Sequence, residues 1–188
     1  MVDLAMHMMD IVQNAIRANA TRIDIGFLEE SRKGTLTFTV SDNGSGMVPE
    51  TVERVEDPFF TTRTTRRIGL GIPLLKMTSE QSGGSLRVVS LPGAGTVVEA
   101  VFRTDNPDCL PLGDLAGYLV LLLVANPDIH FSFSYRLDRD HFLIDTEEWV
   151  KQGFTDFSKK EMAPAVTEFI AENLKTVCRK RNSESFLC

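Results

Sequence analysis

Cysteine is scarce in this sequence, histidine nearly so, basic residues are outnumbered, and no apolar run is long enough to span a bilayer. Each shortage removes a class of function. Cys109, Cys178 and Cys188 stand far apart in 188 residues without a C-x-x-C pair. That excludes a disulfide framework and points to a reducing compartment, so a cytoplasmic location is expected. His7, His130 and His141 lack the companions that gather ligands around zinc, so a protein-only transition-metal site is not expected. With 20 Lys+Arg against 26 Asp+Glu and a net charge of −6, the chain lacks the basic excess that binds a phosphate backbone or an anionic membrane. The most apolar stretch, Leu115 to Ala125, is 11 residues long, where a membrane span needs about 20; it reads as a buried helix. The start, Met-Val-Asp, has no basic region before an apolar run, so no signal peptide is expected.

What remains is a chain long enough to bury a core without staples. From Asp3 to Ala20, polar Asp3, His7, Asp10, Asn14 and Arg17 recur opposite apolar Leu4, Met8, Ile11, Val12 and Ala15, which is helical period. Residues 21–29 alternate Ile23, Ile25 and Phe27 with Arg22, Asp24 and Gly26, and residues 35–41 alternate Leu36, Phe38 and Val40 with threonines. Both read as strands. A second helix is predicted over Pro73 to Gln81, with proline in its first turn and Gly83-Gly84 beyond its end. Two more strands, 85–91 and 96–103, flank the turn Pro92-Gly93-Ala94-Gly95.

Asp105-Asn106-Pro107-Asp108 is a polar connector that divides the chain into residues 1–104 and 105–188. The first part carries 11 basic and 12 acidic side chains and the second 9 and 14, so the negative charge lies mostly in the second. That second part reads as a helix over 113–125, a hairpin over 130–136 and 141–145, a short helix over 146–152 and a C-terminal helix over about 160–180. The hairpin is expected to extend the sheet of the first part along an exposed edge, and the stripe Leu115, Leu119, Leu122 and Leu123 to lie in a core.

Four pieces of the first part carry chemistry. Asp42-Asn43-Gly44-Ser45-Gly46 ends a strand, and taken alone is more often only a turn. Gly69-Leu70-Gly71 before a helix lets backbone N–H groups approach an anion. On the first helix Asp10 and Asn14 are i and i+4, so a carboxylate and a carboxamide oxygen stack in a way that suits Mg²⁺. Residues 61–67 hold three arginines and four threonines without a carboxylate, either a solvated basic loop or an anion collector. Strand parity joins the pieces. Asp42 shares the parity of Leu36, Phe38 and Val40, and Thr96 that of Val98, Ala100 and Phe102, so both polar groups face the helices and can line one pocket. Lys76 on the second helix is either a phosphate contact or a solvated lysine. His7, one turn from Asp10, reads as a pocket-lining or supporting group rather than a phospho-acceptor.

Residues 1–104 resemble the ATP-binding domain shared by DNA gyrases, ninety-kilodalton heat-shock chaperones, sensor histidine kinases and mismatch-repair ATPases, the GHKL superfamily. The matching segments are Asp10-Ile-Val-Gln-Asn14, Asp42-x-Gly44-x-Gly46, Asp57-Pro-Phe-Phe-Thr-Thr-Arg63, Gly69-Leu70-Gly71 and Gly93-Ala-Gly95-Thr96. The resemblance implies an α+β two-layer sandwich, the Bergerat fold, with a mixed sheet and helices on one face, here followed by a small α/β extension. It implies a stand-alone bacterial or archaeal histidine-kinase-like ATPase that binds ATP and Mg²⁺ and acts on, or regulates, a separate protein. By the same resemblance Asn14 holds Mg²⁺, Asp10 serves Mg²⁺ or acts as general base, Asp42 and Thr96 bind adenine, and Arg63, Gly69 and Gly71 meet the phosphates. The family's general base is often glutamate, and Asp10 is one methylene shorter.

Overall fold

The computed structural model describes residues 3–57, 70–179 and 181. Helix α1, Leu4–Arg17, starts where the Asp3 carboxylate accepts the Met6 N–H at 2.8 Å, a side-chain cap on an otherwise unpaired donor. Its buried stripe, including Leu4, Met8, Ile11 and Val12, packs on a sheet. Strands β1, Arg22–Glu30, and β2, Thr35–Asp42, form an antiparallel hairpin. A short helix α2, Pro49–Val52, follows the Asp42 loop, with its proline at the first position, where no N–H is needed. Helix α3 runs Gly71–Gln81, starting two residues before the predicted Pro73. Strands β3, Ser85–Leu91, and β4, Gly95–Arg103, complete the first half.

The second half continues the same sheet. Helix α4, Leu115–Ala125, is capped by Asp114. Strand β5, His130–Leu137, runs parallel to β1, and β6, Asp140–Asp145, pairs antiparallel with β5. Asp145 then caps helix α5, Thr146–Lys151, and the chain closes with helix α6, Ala163–Cys178. The sheet has six strands in the order β3-β4-β2-β1-β5-β6. The hairpin of the second half therefore extends the sheet along an exposed edge, as expected, and the edge it takes is that of β1 which β2 leaves open. No described helix is long and apolar enough to cross a membrane.

Five of the strands bury one face and leave the other open to solvent or partly so, while the edge strand β3 half-buries its inner face. The buried face carries Phe27, Phe38, Phe133 and Tyr135, with Phe27 stacked on Phe38 at 4.9 Å between ring centroids. One continuous apolar cluster runs from α1 through this face to α4 and α6, and it contains Leu115, Leu119, Leu122 and Leu123. Two polar ties cross it. Glu29, 2% exposed, accepts from the Tyr135 hydroxyl at 2.8 Å and from Arg181 Nε at 3.0 and 3.1 Å, which fastens the chain beyond α6 to β1 and β5. A carboxylate so deep is tolerable because both its oxygens are paired.

The second tie joins α1 to α3. His7 is fully buried, with Nε2 3.1 Å from the Thr78 hydroxyl. Thr78 Oγ1 also lies within hydrogen-bond distance of the Leu74 and Leu75 carbonyls, which can only accept. Its proton goes to a carbonyl, so His7 Nε2–H is the donor to Thr78 and the bare nitrogen is Nδ1, which has no partner. Charging the ring would create a buried N–H without an acceptor. Burial lowers the His7 pKa from 6.5 to about 4.

Two outcomes follow from these ties. Replacing Glu29 by Ala leaves Arg181 and Tyr135 facing each other without the carboxylate, and urea unfolding is expected to show a loss of about 3 kcal/mol or more. A loss below about 1 kcal/mol would show that the pairing contributes nothing. For His7, the unfolded chain takes up the proton near pH 6.5 and the folded chain only near 4, so stability falls as pH drops across that window. The loss attributable to the ring is at most about 3 kcal/mol. Urea midpoints between pH 7 and 4 should decline less in His7→Gln than in the native protein.

Candidate functional site

The inner face of the sheet changes character at one end. Along β2 it runs Leu36, Phe38, Val40 and then Asp42; along β4, read toward the same end, Phe102, Ala100, Val98 and then Thr96; along β3, Leu86, Val88 and then Ser90. The register pairs Asp42 with Thr96 and Thr96 with Ser90, so three polar side chains form a row across three strands. Sequence parity foresaw the first two. Ser90 was missed, although its parity with Leu86 and Val88 is the same signal.

Asp42 and Thr96 line a cavity of about 500 Å³ between the sheet end, α1 and α3, inside the range of roughly 300–1,000 Å³ common for small-ligand sites. Its apolar walls include Ile11, Ala15, Ile72 and Val98, while Val48 and Val55 come from the α2 segment, which the sequence reading did not foresee. Burial pushes the Asp42 carboxyl above its ordinary range, opposed by the N–H groups of Gly44 and Thr96; the Gly44 N–H donates to Asp42 Oδ1 at 2.8 Å. An aspartate in such a place is a directed acceptor held near an apolar slot.

The loop after Asp42 is fastened on both sides. Asn43 Oδ1 accepts the N–H groups of Thr21 and Arg22, each at 2.9 Å. The Ser45 N–H donates to the Ala18 carbonyl and the Ser45 carbonyl accepts from Gly93 N–H, both at 2.8 Å. Gly44 sits against Ala18 at the end of α1, where a Cβ would come 2.8 Å from the alanine side chain. Gly46 has φ +64° and lies on the cavity wall, and a Cβ there would overlap the Leu91 carbonyl oxygen. These glycines let the loop, the α1 terminus and the β3–β4 turn close on one another. Gly46 lines the cavity and Gly44 supports it from behind.

On α1, Asn14 lines the cavity and its Oδ1 accepts from Arg17 Nη1 at 3.2 Å. Asp10, one turn earlier, is exposed at the cavity's flank. Gly71 opens α3 beside both: a Cβ there would lie 3.5 Å from Asp10 Cβ and 3.7 Å from Asn14 Nδ2. Helices α1, α4 and α5 begin with aspartate side chains that cap N–H groups, but α3 begins at Leu70 without a side-chain cap. Its first turn, Gly71, Ile72 and Pro73, faces the cavity. An uncapped helix N-terminus at a cavity leaves N–H groups and positive potential for an anion.

Other expected residues stand elsewhere. Arg63, Gly69 and the threonine-arginine stretch lie outside the described residues. Lys76 is not a cavity residue: its ammonium pairs with Glu56 at 2.6 Å and with Glu80 at 4.0 Å. Nor does His7 line the cavity, because the tie to Thr78 holds it in the α1–α3 contact. His130 meets Asp145 at 2.9 Å, where that carboxylate also takes the Glu147 and Glu148 N–H groups at the start of α5.

Comparison with known proteins agrees with this geometry. A 92-residue segment is 34% identical to the sensor histidine kinase ZraS of Salmonella typhimurium, covering 48% of this chain and 19% of that protein. An 88-residue segment is 39% identical to the sensor protein kinase FleS of Pseudomonas aeruginosa, covering 47% and 22%. The chain thus spans about a fifth of the length of these relatives. Among solved structures, the N-terminal domain of a DNA repair protein superposes with a TM-score of 0.54 at 19% identity, over 77% of this chain and 52% of that one, a likeness of fold. Residues 2–106, which hold the Asp42 row, the α1 pair and the α3 N-terminus, match the family described as histidine kinase-, DNA gyrase B- and HSP90-like ATPase; the chain belongs to that family, and its mixed sheet with covering helices is the α+β sandwich expected of it.

Proposed function

We propose that this protein binds Mg-ATP in the cavity at the end of the sheet and passes the γ-phosphoryl group to a separate partner protein. The observation that carries the reading is the convergence, on one cavity, of an acceptor pair, an apolar slot and an uncapped helix N-terminus. Asp42 and Thr96 suit the amino edge of adenine, with Ile11, Ile72 and Val98 against the ring faces. The N–H groups at the start of α3 suit the phosphates. Asn14 and Asp10 are hard oxygen donors one turn apart beside that N-terminus, the donor type that Mg²⁺ takes while keeping several waters. When bound, the ion would neutralise charge on the phosphate oxygens. Residues 1–104 form the nucleotide module in this reading, and residues 105–188 an extension that completes its sheet and offers the partner its surface. The relatives are named as sensor kinases, and the scarcity of cysteine suits a cytoplasmic setting.

Phosphoryl transfer asks the protein mainly for positioning and charge stabilisation. In this reading Asp10 orients an attacking hydroxyl or water, as general base or through the metal's water shell. Its short side chain favours a second reading, a slow ATPase or a switch whose partner contacts depend on bound nucleotide.

Incubation with γ-labelled ATP and cell extract, following free phosphate and labelled protein together, separates the readings. Transfer predicts a labelled partner that disappears in Asp10→Ala while calorimetry on that variant still detects ATP binding. Free phosphate without labelled protein would select the ATPase, and binding with neither product a switch without turnover. Asp42→Ala should weaken ATP binding by about 10- to 100-fold, the scale of a hydrogen bond to a charged group, and chelating Mg²⁺ should weaken it as well. Calorimetry that detects no binding of Mg-ATP to the native protein would sink both readings.

A further inference from the structure

We infer that Ser90 is a positioning residue that sets the donor and acceptor polarity of the nucleotide cavity, and so its preference for an amino-purine over an oxo-purine. The inference rests on the nucleotide reading above and concerns one hydroxyl proton.

Ser90 Oγ lies 2.9 Å from each of three groups: the Met47 N–H, the Gly95 carbonyl oxygen and Thr96 Oγ1. A serine hydroxyl has one proton to donate and two lone pairs to accept with. Met47 N–H can only donate, so it takes one lone pair. The Gly95 carbonyl can only accept, so it takes the proton. The remaining contact, with Thr96, has one consistent direction: Thr96 donates and Ser90 accepts. All three places on Ser90 are then filled.

The consequence falls on the cavity. With its proton committed to Ser90, the Thr96 hydroxyl offers only lone pairs to a ligand. Asp42, its cross-strand neighbour on the same wall, is also an acceptor, and its pairing with Gly44 N–H holds its orientation. The wall is therefore acceptor-only across two adjacent strands. It matches a ring edge that presents N–H groups, directly or through a water, and mismatches one that presents a carbonyl. A buried acceptor facing another acceptor loses a hydrogen bond and gains repulsion, so discrimination against the oxo group follows from polarity alone.

The same three contacts join the Asp42 loop through Met47, the β3–β4 turn through Gly95, and β4 through Thr96. Removing the hydroxyl would therefore loosen the site as well as free the threonine proton. The two effects have different signatures. Loosening weakens every nucleotide alike, whereas a freed Thr96 proton can turn toward the cavity and serve an oxo group.

The test compares ATP with inosine triphosphate, in which a carbonyl replaces the amino group, by titration calorimetry on the full chain with Mg²⁺. The native protein should prefer ATP. In Ser90→Ala the ATP-to-ITP affinity ratio should fall about tenfold, whatever happens to either affinity, while Ser90→Thr, which keeps the hydroxyl, should hold the native ratio. A Ser90→Ala protein with both affinities lowered and the ratio unchanged would reduce Ser90 to a structural brace and overturn the inference. If Ser90→Ala fails to fold by circular dichroism, Ser90→Cys serves in its place: its sulfur is a weak acceptor for the Thr96 proton, so the ratio should fall too, and an unchanged ratio there is equally fatal. Native protein that binds ATP and ITP equally would refute the polarity assignment but leave the nucleotide site standing. Native protein that binds neither would refute the nucleotide reading itself.

Discussion

The two-residue alternation of the β-pleat is the constraint on which this protein's site depends. One face of the sheet is turned to the helices, buried in five strands and half-buried in β3, so any residue sharing that parity must point at the helices whether it is apolar or not. At one end of β2, β4 and β3 the committed face carries Asp42, Thr96 and Ser90 in place of the aliphatic residues that precede them. These polar groups cannot turn to solvent without slipping the register and exposing Phe38, Val40, Val98 and Phe102, which are buried. The core thus holds the site rigid, and the polar row costs little because it lies at the sheet's end, where α1 and α3 leave a cavity.

Hydrogen bonds then give that row a direction. Asp42 is held by Gly44, Ser90 by Met47 and Gly95, and Thr96 by Ser90. The loop and the β3–β4 turn meet where Gly46 and Gly95 lack room for side chains. Charge is handled differently at the other wall. The start of α3 has no side-chain cap, so its N–H groups remain for a ligand, while the His7–Thr78 contact ties the body of α3 to α1. Adjacent walls of the cavity are hence acceptor-rich and donor-rich, the polarity a nucleoside with a phosphate tail requires.

The second half of the chain acts on the site from a distance. Strand β5 covers the edge of β1, which sits between β2 and the added hairpin, and α4 packs against α1 within the shared apolar cluster. Glu29, Tyr135 and Arg181 bind the far end of that assembly together. A sheet whose β1 was left as an open edge would expose Ile25 and Phe27 at its rim, and α1 would lose part of its support. The acidic balance of residues 105–188 lies on the surface of this added layer, since the strands and helices bury mainly aromatic and aliphatic side chains.

Much of this was legible in the residues themselves. Helix α1, all six strands to within a residue at each end, the inward parity of Asp42 and Thr96, and the glycine-bearing loop follow from local periodicity and turn chemistry, because those signals are written within a few residues of each other. The short helix α2 escaped notice because four residues carry no period. The alternatives for Lys76 and His7 stayed open for a common reason: a helix stripe says which side a residue is on, but not which neighbour waits there. In the fold Glu56 waits for Lys76 and Thr78 for His7. Ser90 carried its signal in plain parity, yet its importance depends on three partners from three segments. The sequence by itself determined the elements, their faces and the family motifs, since these rest on local geometry. Only the tertiary structure decided which polar groups meet, which way each proton points and which edge the last hairpin fills, because those depend on contacts between residues far apart along the chain.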